Sequence, residues 1–345
     1  MRKGDIAFEG HPNKEFKFGR FVANDIGDGV VSELFPVYKH VRDYDSDYWK
    51  YAIHLNWIMT PIFAKSITSS GNSSNKLDAK HFLRQEIRIP SLNEQQNIGD
   101  LLKKMDAILT LHEEKLGQLK ALKRGMLQKL FPAQGDVVPV LRQKGFKDAW
   151  KKHKFMESID SITDFRGRTP KKLGMNWSTE GVLALSAQNV KDGYIDKTID
   201  AHYGSQDLYD KWMGGRELHK GQVVFTTEAP MGNVARIPDE NKYILSQRTI
   251  AFNIKEDMLT ESFLMYLLES PGVRNNLLRF SSGGTAKGVS QKTLSSLMVI
   301  IPTSLKEQAR ISFEFYNLDY LITLHQHKLD KLHSLKKFLL QNLFI

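Results

Sequence analysis

The residues best suited to bind something form a cationic loop. Arg166-Gly167-Arg168-Thr169-Pro170-Lys171-Lys172 places four cations beside a glycine and a proline, with no acid among them. That composition suits a solvated loop and equally suits contact with phosphate. Residue sets that would carry catalysis do not appear. There is no phosphate-binding G-x-x-x-x-G-K-[ST], and Gly283-Gly284-Thr285-Ala286-Lys287-Gly288 has the wrong spacing for one. A strand followed by G-x-G-x-x-G, an H-E-x-x-H pair, a G-x-S-x-G elbow and an Asn-Pro-Pro-aromatic run are all missing. Isolated carboxylates such as Asp164 and Glu228 read as solvated surface acids. The expectation is no catalytic residue, no metal and no cofactor.

The bulk composition narrows the class further. A chain of 345 residues with 41% apolar and 10% aromatic side chains can bury cores for about two domains. With no cysteine, thiolate catalysis, thiolate metal sites and disulfide frameworks are excluded. No run of eighteen apolar residues occurs, and Met1-Arg2-Lys3-Gly4-Asp5-Ile6-Ala7-Phe8 lacks a signal-peptide core. A cytoplasmic chain with no membrane segment is expected. The 49 basic against 39 acidic residues leave a net charge of +10, spread along the chain, which points to a polyanion and to nucleic acid first.

A duplication supplies the elements that must position any site. Residues 91–131 and 304–344 align without a gap at an offset of 213 and agree at 18 of 41 positions. Each opens on a capping box, Ser91 with Glu94 and Ser304 with Glu307, just after Pro90 and Pro302. A 4,3 spacing then selects Ile98, Leu102, Met105, Leu109, His112, Leu116, Leu119, Lys123, Met126 and Leu130. The second copy gives Ile311, Phe315, Leu318, Ile322, His325, Leu329, Leu332, Lys336, Leu339 and Leu343. Sustained heptads specify a coiled coil, so the two copies are expected to pair, with His112 and His325 setting register rather than binding metal. The lysines are expected to snorkel outward with packed stems. Each helix of about 40 residues would reach roughly 60 Å.

The segments ahead of the helices read as α+β. Strands are expected at Val182–Leu185, Gln222–Thr226, Asn233–Ile237, Arg248–Ile254 and Met298–Ile301, with a helix over Thr260–Leu268. Lys3-Gly4-Asp5-Ile6-Ala7-Phe8 parallels Lys220-Gly221-Gln222-Val223-Val224-Phe225. Ser69–Gly71 parallels Ser281–Gly284, and Ile87–Pro90 parallels Val299–Pro302. The first segment thus looks like the back half of the domain that is whole in the second.

This architecture resembles the specificity subunit of type I restriction–modification enzymes. The likeness rests on the helix openings Pro90-Ser91-Leu92-Asn93-Glu94-Gln95 and Pro302-Thr303-Ser304-Leu305-Lys306-Glu307-Gln308. It rests too on the helix endings Leu127-Gln128-Lys129-Leu130-Phe131-Pro132 and Leu340-Gln341-Asn342-Leu343-Phe344. Glu228-Ala229-Pro230-Met231-Gly232-Asn233-Val234-Ala235 and Gly288-Val289-Ser290-Gln291-Lys292-Thr293-Leu294 are similar to that family's target-recognition domains. The resemblance implies an α+β chain in which recognition domains alternate with two long helices paired as an antiparallel coiled coil. The expected divisions are a partial domain over 1–90, helices over 91–131 and 304–345, a linker over 132–145 and a complete domain over 146–303. It implies a non-catalytic subunit that reads double-stranded DNA and binds methyltransferase subunits, and through that complex a restriction–translocation subunit. One intact domain implies one half-site, or both if two chains pair through the long helices. Candidate phosphate contacts are Arg166, Arg168, Lys171 and Lys172. Candidate base contacts are Gln188, Asn189, Thr226, Thr227, Asn233 and Lys287. The rival readings are a coiled-coil assembly protein indifferent to nucleic acid, a silent truncated copy, and a stand-alone nuclease or methyltransferase.

Overall fold

The computed structural model describes residues 1–68, 74–133, 135–199, 201–280 and 288–344. Lys287 and the parallel between Ser69–Gly71 and Ser281–Gly284 lie outside the described residues. The chain groups into two compact units, residues 1–116 with 325–345, and residues 117–324.

In chain order the first unit begins with β1 (Ile6–Glu9), β2 (Arg20–Ala23) and β3 (Val37–Tyr38). There follow α1 (Ser46–Ala52), α2 (Asn56–Ser66), β4 (Ile67–Thr68), β5 (Lys76–Leu77), α3 (Ala79–Phe82) and the start of α4 (Leu92–Leu130). Strands β2-β1-β3 form an antiparallel sheet. Along β1 the buried Ile6 and Phe8 alternate with the half-exposed Ala7 and Glu9, the period of a sheet covered on one face. Phe8 packs against Phe21 and Phe63 with ring centroids 5.5 and 5.4 Å apart. The Asp45 side chain caps α1, its Oδ1 accepting from Tyr48 N at 2.7 Å.

The second unit contains β6 (Lys151–Lys154), a 3₁₀ turn (Phe155–Ser158), β7 (Ile159–Asp164), a second 3₁₀ turn (Lys171–Leu173), β8 (Val182–Leu185) and β9 (His202–Gly204). After α5 (Gln206–Met213) come β10 (Val223–Thr226), β11 (Val234–Arg236), β12 (Tyr243–Leu245) and β13 (Thr249–Ile254). The unit closes with α6 (Glu261–Glu269), α7 (Pro271–Phe280), α8 (Gln291–Ser296), β14 (Met298–Ile301) and the start of α9 (Leu305–Leu343). The expected strands and helix form within one or two residues of their predicted bounds. Sheet β11-β10-β13-β7 is the centre, with β12-β8-β9 as a second sheet and β14-β6 as a ribbon. Every residue of β10 is buried: Val223 and Phe225 enter the core made with α6, while Val224 enters the core of the second sheet. Gly4 and Gly221, at φ +93° and +90°, make the matching turns into β1 and β10, a conformation that L side chains rarely adopt.

The helix seam is as the heptads specify, antiparallel within each unit. In the first unit Ile98 and Leu102 cluster with Tyr48 and Phe344; in the second, Leu127 and Leu130 cluster with Ile311 and Phe315. Met105, Leu109, Leu116, Leu119, Leu318 and Leu329 are also buried, and Ile322, Leu332 and Leu343 are half-buried. His112 Nδ1 and His325 Nδ1 meet at 2.9 Å.

The lysines do not snorkel. Lys123 Nζ lies 2.9 Å from Asp319 Oδ1 and 2.8 Å from Glu269 Oε2. The duplicate Lys336 Nζ lies 2.5 Å from Asp106 Oδ1. Tyr266 and Tyr51 donate to those aspartates at 3.0 and 2.7 Å, and each lysine stands over its tyrosine ring at 5.5 and 5.4 Å. Burial pushes the Glu269 carboxyl up to about 6 against the pull of Lys123. The capping boxes also differ from expectation. Ser91 and Ser304 do cap, at a long 3.4 Å, but the Glu307 carboxylate accepts from Arg142 at 2.7 and 2.9 Å and from Trp150 Nε1 at 3.2 Å. The adjacent Gln95 and Gln308 are the buried locks: each donates to the proline carbonyl five or six residues back and accepts from the residue capping α1 or α6.

Two outcomes follow from the seam. Asp319→Ala leaves Lys123, whose side chain is only 15% exposed, short of a counter-charge; it should cost about 3 kcal/mol. Asp106→Ala, in the more open copy, should cost about 1 kcal/mol, both read by urea denaturation. Burial, then the charges of His112, Lys328 and Lys115, hold His325 below the ordinary histidine value of 6.5. The unfolded chain takes up a proton at His325 that the folded chain resists, so this contribution to stability is whole above pH 6.5 and is lost as pH falls below it. A His112→Leu/His325→Leu chain should therefore show a smaller drop in urea midpoint than wild type between about pH 7.5 and about pH 5.5.

Candidate nucleic-acid interface

The second unit gathers several loops around one depression of about 470 Å³. Its walls include Lys171, Asn176, Trp177, His202, Gln247 and Arg248. Strand ends hold these loops in place. β8 stops at Leu185, whose carbonyl accepts from Ser246 N at 3.1 Å and from Thr249 Oγ1 at 3.0 Å. The turns after β8 and β12 are thereby tied together, and Gln188 and Arg248 face solvent from them. α5 is anchored by Trp212, whose Nε1 donates to Leu245 O at 2.9 Å. Trp177 packs on Trp212 with centroids 5.6 Å apart and on His202 at 6.0 Å, giving the depression an aromatic wall.

The predicted cations divide into two kinds. Lys171 lines the depression and is exposed; Lys172 is exposed too, with Nζ donating to Gly167 O at 2.6 Å. Arg166 instead grips Asp164 through Nε and Nη2 at 2.9 and 2.6 Å. Burial works to raise the Asp164 pKa, but the hydrogen bonds and charge of Arg166 outweigh it and hold the carboxyl below its usual range. Asp164, at 11% exposure, is therefore a loop anchor and not a solvated acid. Arg168 lies over the Phe165 ring at 4.7 Å and donates to Trp212 O, so it fastens the loop to α5.

Most of the predicted base contacts turn inward. Asn189 is fully buried: its Oδ1 accepts from Ser186 N and Oγ at 2.9 and 2.8 Å, and its Nδ2 donates to Asp196 O and Ile199 O at 3.0 and 2.5 Å. Thr226 Oγ1 accepts from Asn233 N at 2.9 Å, Thr227 Oγ1 donates to Arg248 O at 3.2 Å, and Asn233 Nδ2 donates to Val190 O at 2.9 Å. These four groups shape the loops, and among the described residues of the set Gln188 faces outward. Asn176, Trp177, His202, Gln247 and Arg248 were not singled out in advance. Arg248 falls at the start of the strand expected over Arg248–Ile254, Ser246 and Gln247 carry no local signal, and Asn176-Trp177 just beyond the Gly174 turn is the one usable signal.

The depression thus offers two cations, two amides and three aromatic rings. It has no pair of carboxylates, and no cluster of three metal-ligating side chains occurs among the described residues. Such a surface can contact phosphate, pair with base edges and stack on a planar group. Asn189→Ala should cost about 2 kcal/mol in chemical denaturation because it strips four internal partners. Gln188→Ala should stay within about 0.5 kcal/mol of wild type in the same measurement.

Comparison with known proteins agrees with this organisation. The family model described as type I restriction modification DNA specificity domain matches residues 39–121 and 159–334. A type I restriction enzyme specificity subunit of Methanocaldococcus jannaschii is 26% identical over 289 residues, covering 80% of this chain and 64% of its own length. A second protein of that organism is 23% identical over 279 residues, 77% of this chain and 59% of its own. The chain therefore spans about 60% of the length of the curated relatives it matches. Among solved structures, the type I S subunit from M. genitalium superposes with a TM-score of 0.64 at 14% identity over 100% of this chain and 84% of that one. A chain from a type I restriction–modification assembly gives 0.56 at 16% identity, over 100% and 82%. At such identities the likeness is one of fold.

Proposed function

The chain belongs to the type I restriction–modification DNA specificity family, and on that premise we propose that it is a non-catalytic subunit that reads DNA through its second unit. The observation that carries this reading is the depression bounded by Lys171, Asn176, Trp177, His202, Gln247 and Arg248. Cations there would set register on the phosphates, and the amides would discriminate bases. In this reading the unit serves one half of a bipartite site.

The same subunit would scaffold methyltransferase subunits, and through them a restriction–translocation subunit, on its long helices. What supports this is a stripe of large side chains on α9, Phe313, Tyr316 and Tyr320, at 61, 54 and 61% exposure. Residues three and four apart share a helix face, and exposed aromatics on one face suit a protein partner.

The test is to assemble the chain with a methyltransferase subunit and measure DNA affinity against salt, together with the sequence that becomes methylated. Lys171→Ser with Arg248→Ser should weaken binding on all sequences and lower the salt slope by about 2. Asn176→Ala should instead relax the methylated sequence, by about 1–3 kcal/mol of discrimination. An unchanged slope together with an unchanged methylation site would refute the reading.

A further inference from the structure

The depression of the second unit is a recess, and its shape narrows what part of a nucleic acid can enter it. Its lining reaches down to Trp212 and Ala187, which are 1 and 3% exposed. At about 470 Å³ it falls in the range of small-ligand sites, about 300–1,000 Å³. In a paired duplex the base edges lie at the bottom of a major groove about 12 Å wide and about 8.5 Å deep. A surface that reads them there has to project, as a helix or a two-stranded ribbon does, and a hollow does not reach them. The fit reverses for a base turned out of the stack, because then the base projects and the protein receives it.

The lining matches such a base in chemistry as well as in shape. Trp177 is half-buried and packs on Trp212 with ring centroids 5.6 Å apart, so its indole is held in place, and His202 lies against it at 6.0 Å. The face of any base can stack on such rings. Identity falls to the amides. Gln247 Nε2 donates to Arg168 O, which commits its donor end within the protein, while its Oε1 has no partner among the described residues. The Asn176 side chain is exposed and makes no hydrogen bond among the described residues, so both its oxygen and its NH₂ are available. Together the two amides offer two acceptors and one donor. An exocyclic amine with two hydrogens beside a bare ring nitrogen satisfies that set, and adenine and cytosine carry it on their pairing edge. Thymine, with two carbonyls and one N–H, needs the reverse. Lys171 and Arg248 also line the hollow and are exposed, Arg248 meeting Glu228 only at 3.5 Å, which leaves both cations to the phosphates on either side of the base.

We propose that the depression receives a single adenine or cytosine turned out of the duplex, stacked against Trp177 and His202 and held at its pairing edge by Asn176 and Gln247. This inference rests on the DNA reading of the same depression and sharpens it: identity is read on the pairing edge of one extruded base and not on the groove edges of paired ones.

The experiment uses the full chain without a methyltransferase subunit, because such enzymes extrude bases themselves. Fluorescence anisotropy compares labelled duplexes of one sequence, either fully paired or with a single unpaired adenine, cytosine or thymine. An unpaired base has no partner to leave, so the adenine and cytosine duplexes should bind tighter than the paired one by roughly tenfold or more. They should also bind tighter than the thymine duplex by roughly tenfold. Trp177→Leu and His202→Ala should each remove most of that preference. The affinity for the paired duplex and its salt slope, which report phosphate contacts, should stay unchanged. His202 is exposed, so His202→Ala carries the test should Trp177→Leu lower the thermal midpoint.

Equal affinity for paired and unpaired duplexes would overturn the proposal. If Lys171→Ser with Arg248→Ser still lowers the salt slope, the DNA reading survives that result. A preference that both aromatic variants leave intact would also overturn the proposal, by placing the base elsewhere. So would competition by free deoxyadenosine monophosphate at the affinity of the unpaired duplex, which would make the hollow a nucleotide site. Binding to none of the duplexes would remove the proposal and the DNA reading together.

Discussion

A lysine ammonium on an apolar helix seam is the constraint on which the rest of the structure depends. Lys123 and Lys336 each find an aspartate on the facing helix, Asp319 and Asp106, and each aspartate also accepts a tyrosine hydroxyl from the domain helix packed beside it. Sliding one helix by a heptad would leave the seam apolar but part both cations from the aspartates of the facing helix, at about 3 kcal/mol for the buried Lys123 and about 1 kcal/mol for the more open Lys336. Apolar heptads alone give α4 and α9 a preference for pairing; the two ion pairs give them one register. Because Tyr51 belongs to α1 and Tyr266 to α6, the same interaction that fixes the helices also fixes the domain helix in each unit.

The duplicated glutamine extends this logic to the start of each long helix. Gln95 and Gln308 are buried, and each joins the proline turn before its helix to the residue that caps the domain helix, Asp45 or Thr260. The first turn of the strut and the first turn of the domain helix are thus held by one side chain. In the second unit Glu307, one residue earlier, adds Arg142 and Trp150 to the same knot. That brings Arg142, within the 132–145 stretch, and Trp150, just beyond it, onto the base of α9. A short polar motif that reads as a helix cap in the sequence is in the structure a junction of three segments.

Much of this was legible in the sequence, and the reason is periodicity. The seam residues, the strands from Val182 to Ile301 and the α6 helix follow from apolar spacing that water enforces locally. Polar side chains carry no such record. Asn189, Thr226, Thr227 and Asn233 look like surface readers because their types suit base edges, yet the loops close on them and use their hydrogen-bonding groups internally. Arg166 and Arg168 are likewise engaged by Asp164, Phe165 and Trp212. Lys123 was misread for a different reason: its partner Asp319 lies almost 200 residues away, and no local pattern marks the pair. Asn176, Gln247 and Arg248 escaped because the strand ends that bring them together are adjacent only in the folded sheet.

The comparison of β1 with β10 shows how context decides what equal sequences do. Ile6-Ala7-Phe8-Glu9 and Val223-Val224-Phe225-Thr226 begin from matching Lys-Gly turns and direct the same alternate residues into a helix-backed core. The difference lies on the other face, where Ala7 and Glu9 are half-exposed while Val224 and Thr226 are fully buried by the second sheet. A strand buried on both faces must be apolar or internally satisfied throughout, and Thr226 meets that condition by accepting from Asn233 N. The second unit therefore places its loop ends on a sheet fixed from both sides. Side chains at those ends, such as Lys171, Gln247 and Arg248, can vary without disturbing the core that positions them, which is the arrangement a surface needs if it is to discriminate among closely similar ligands.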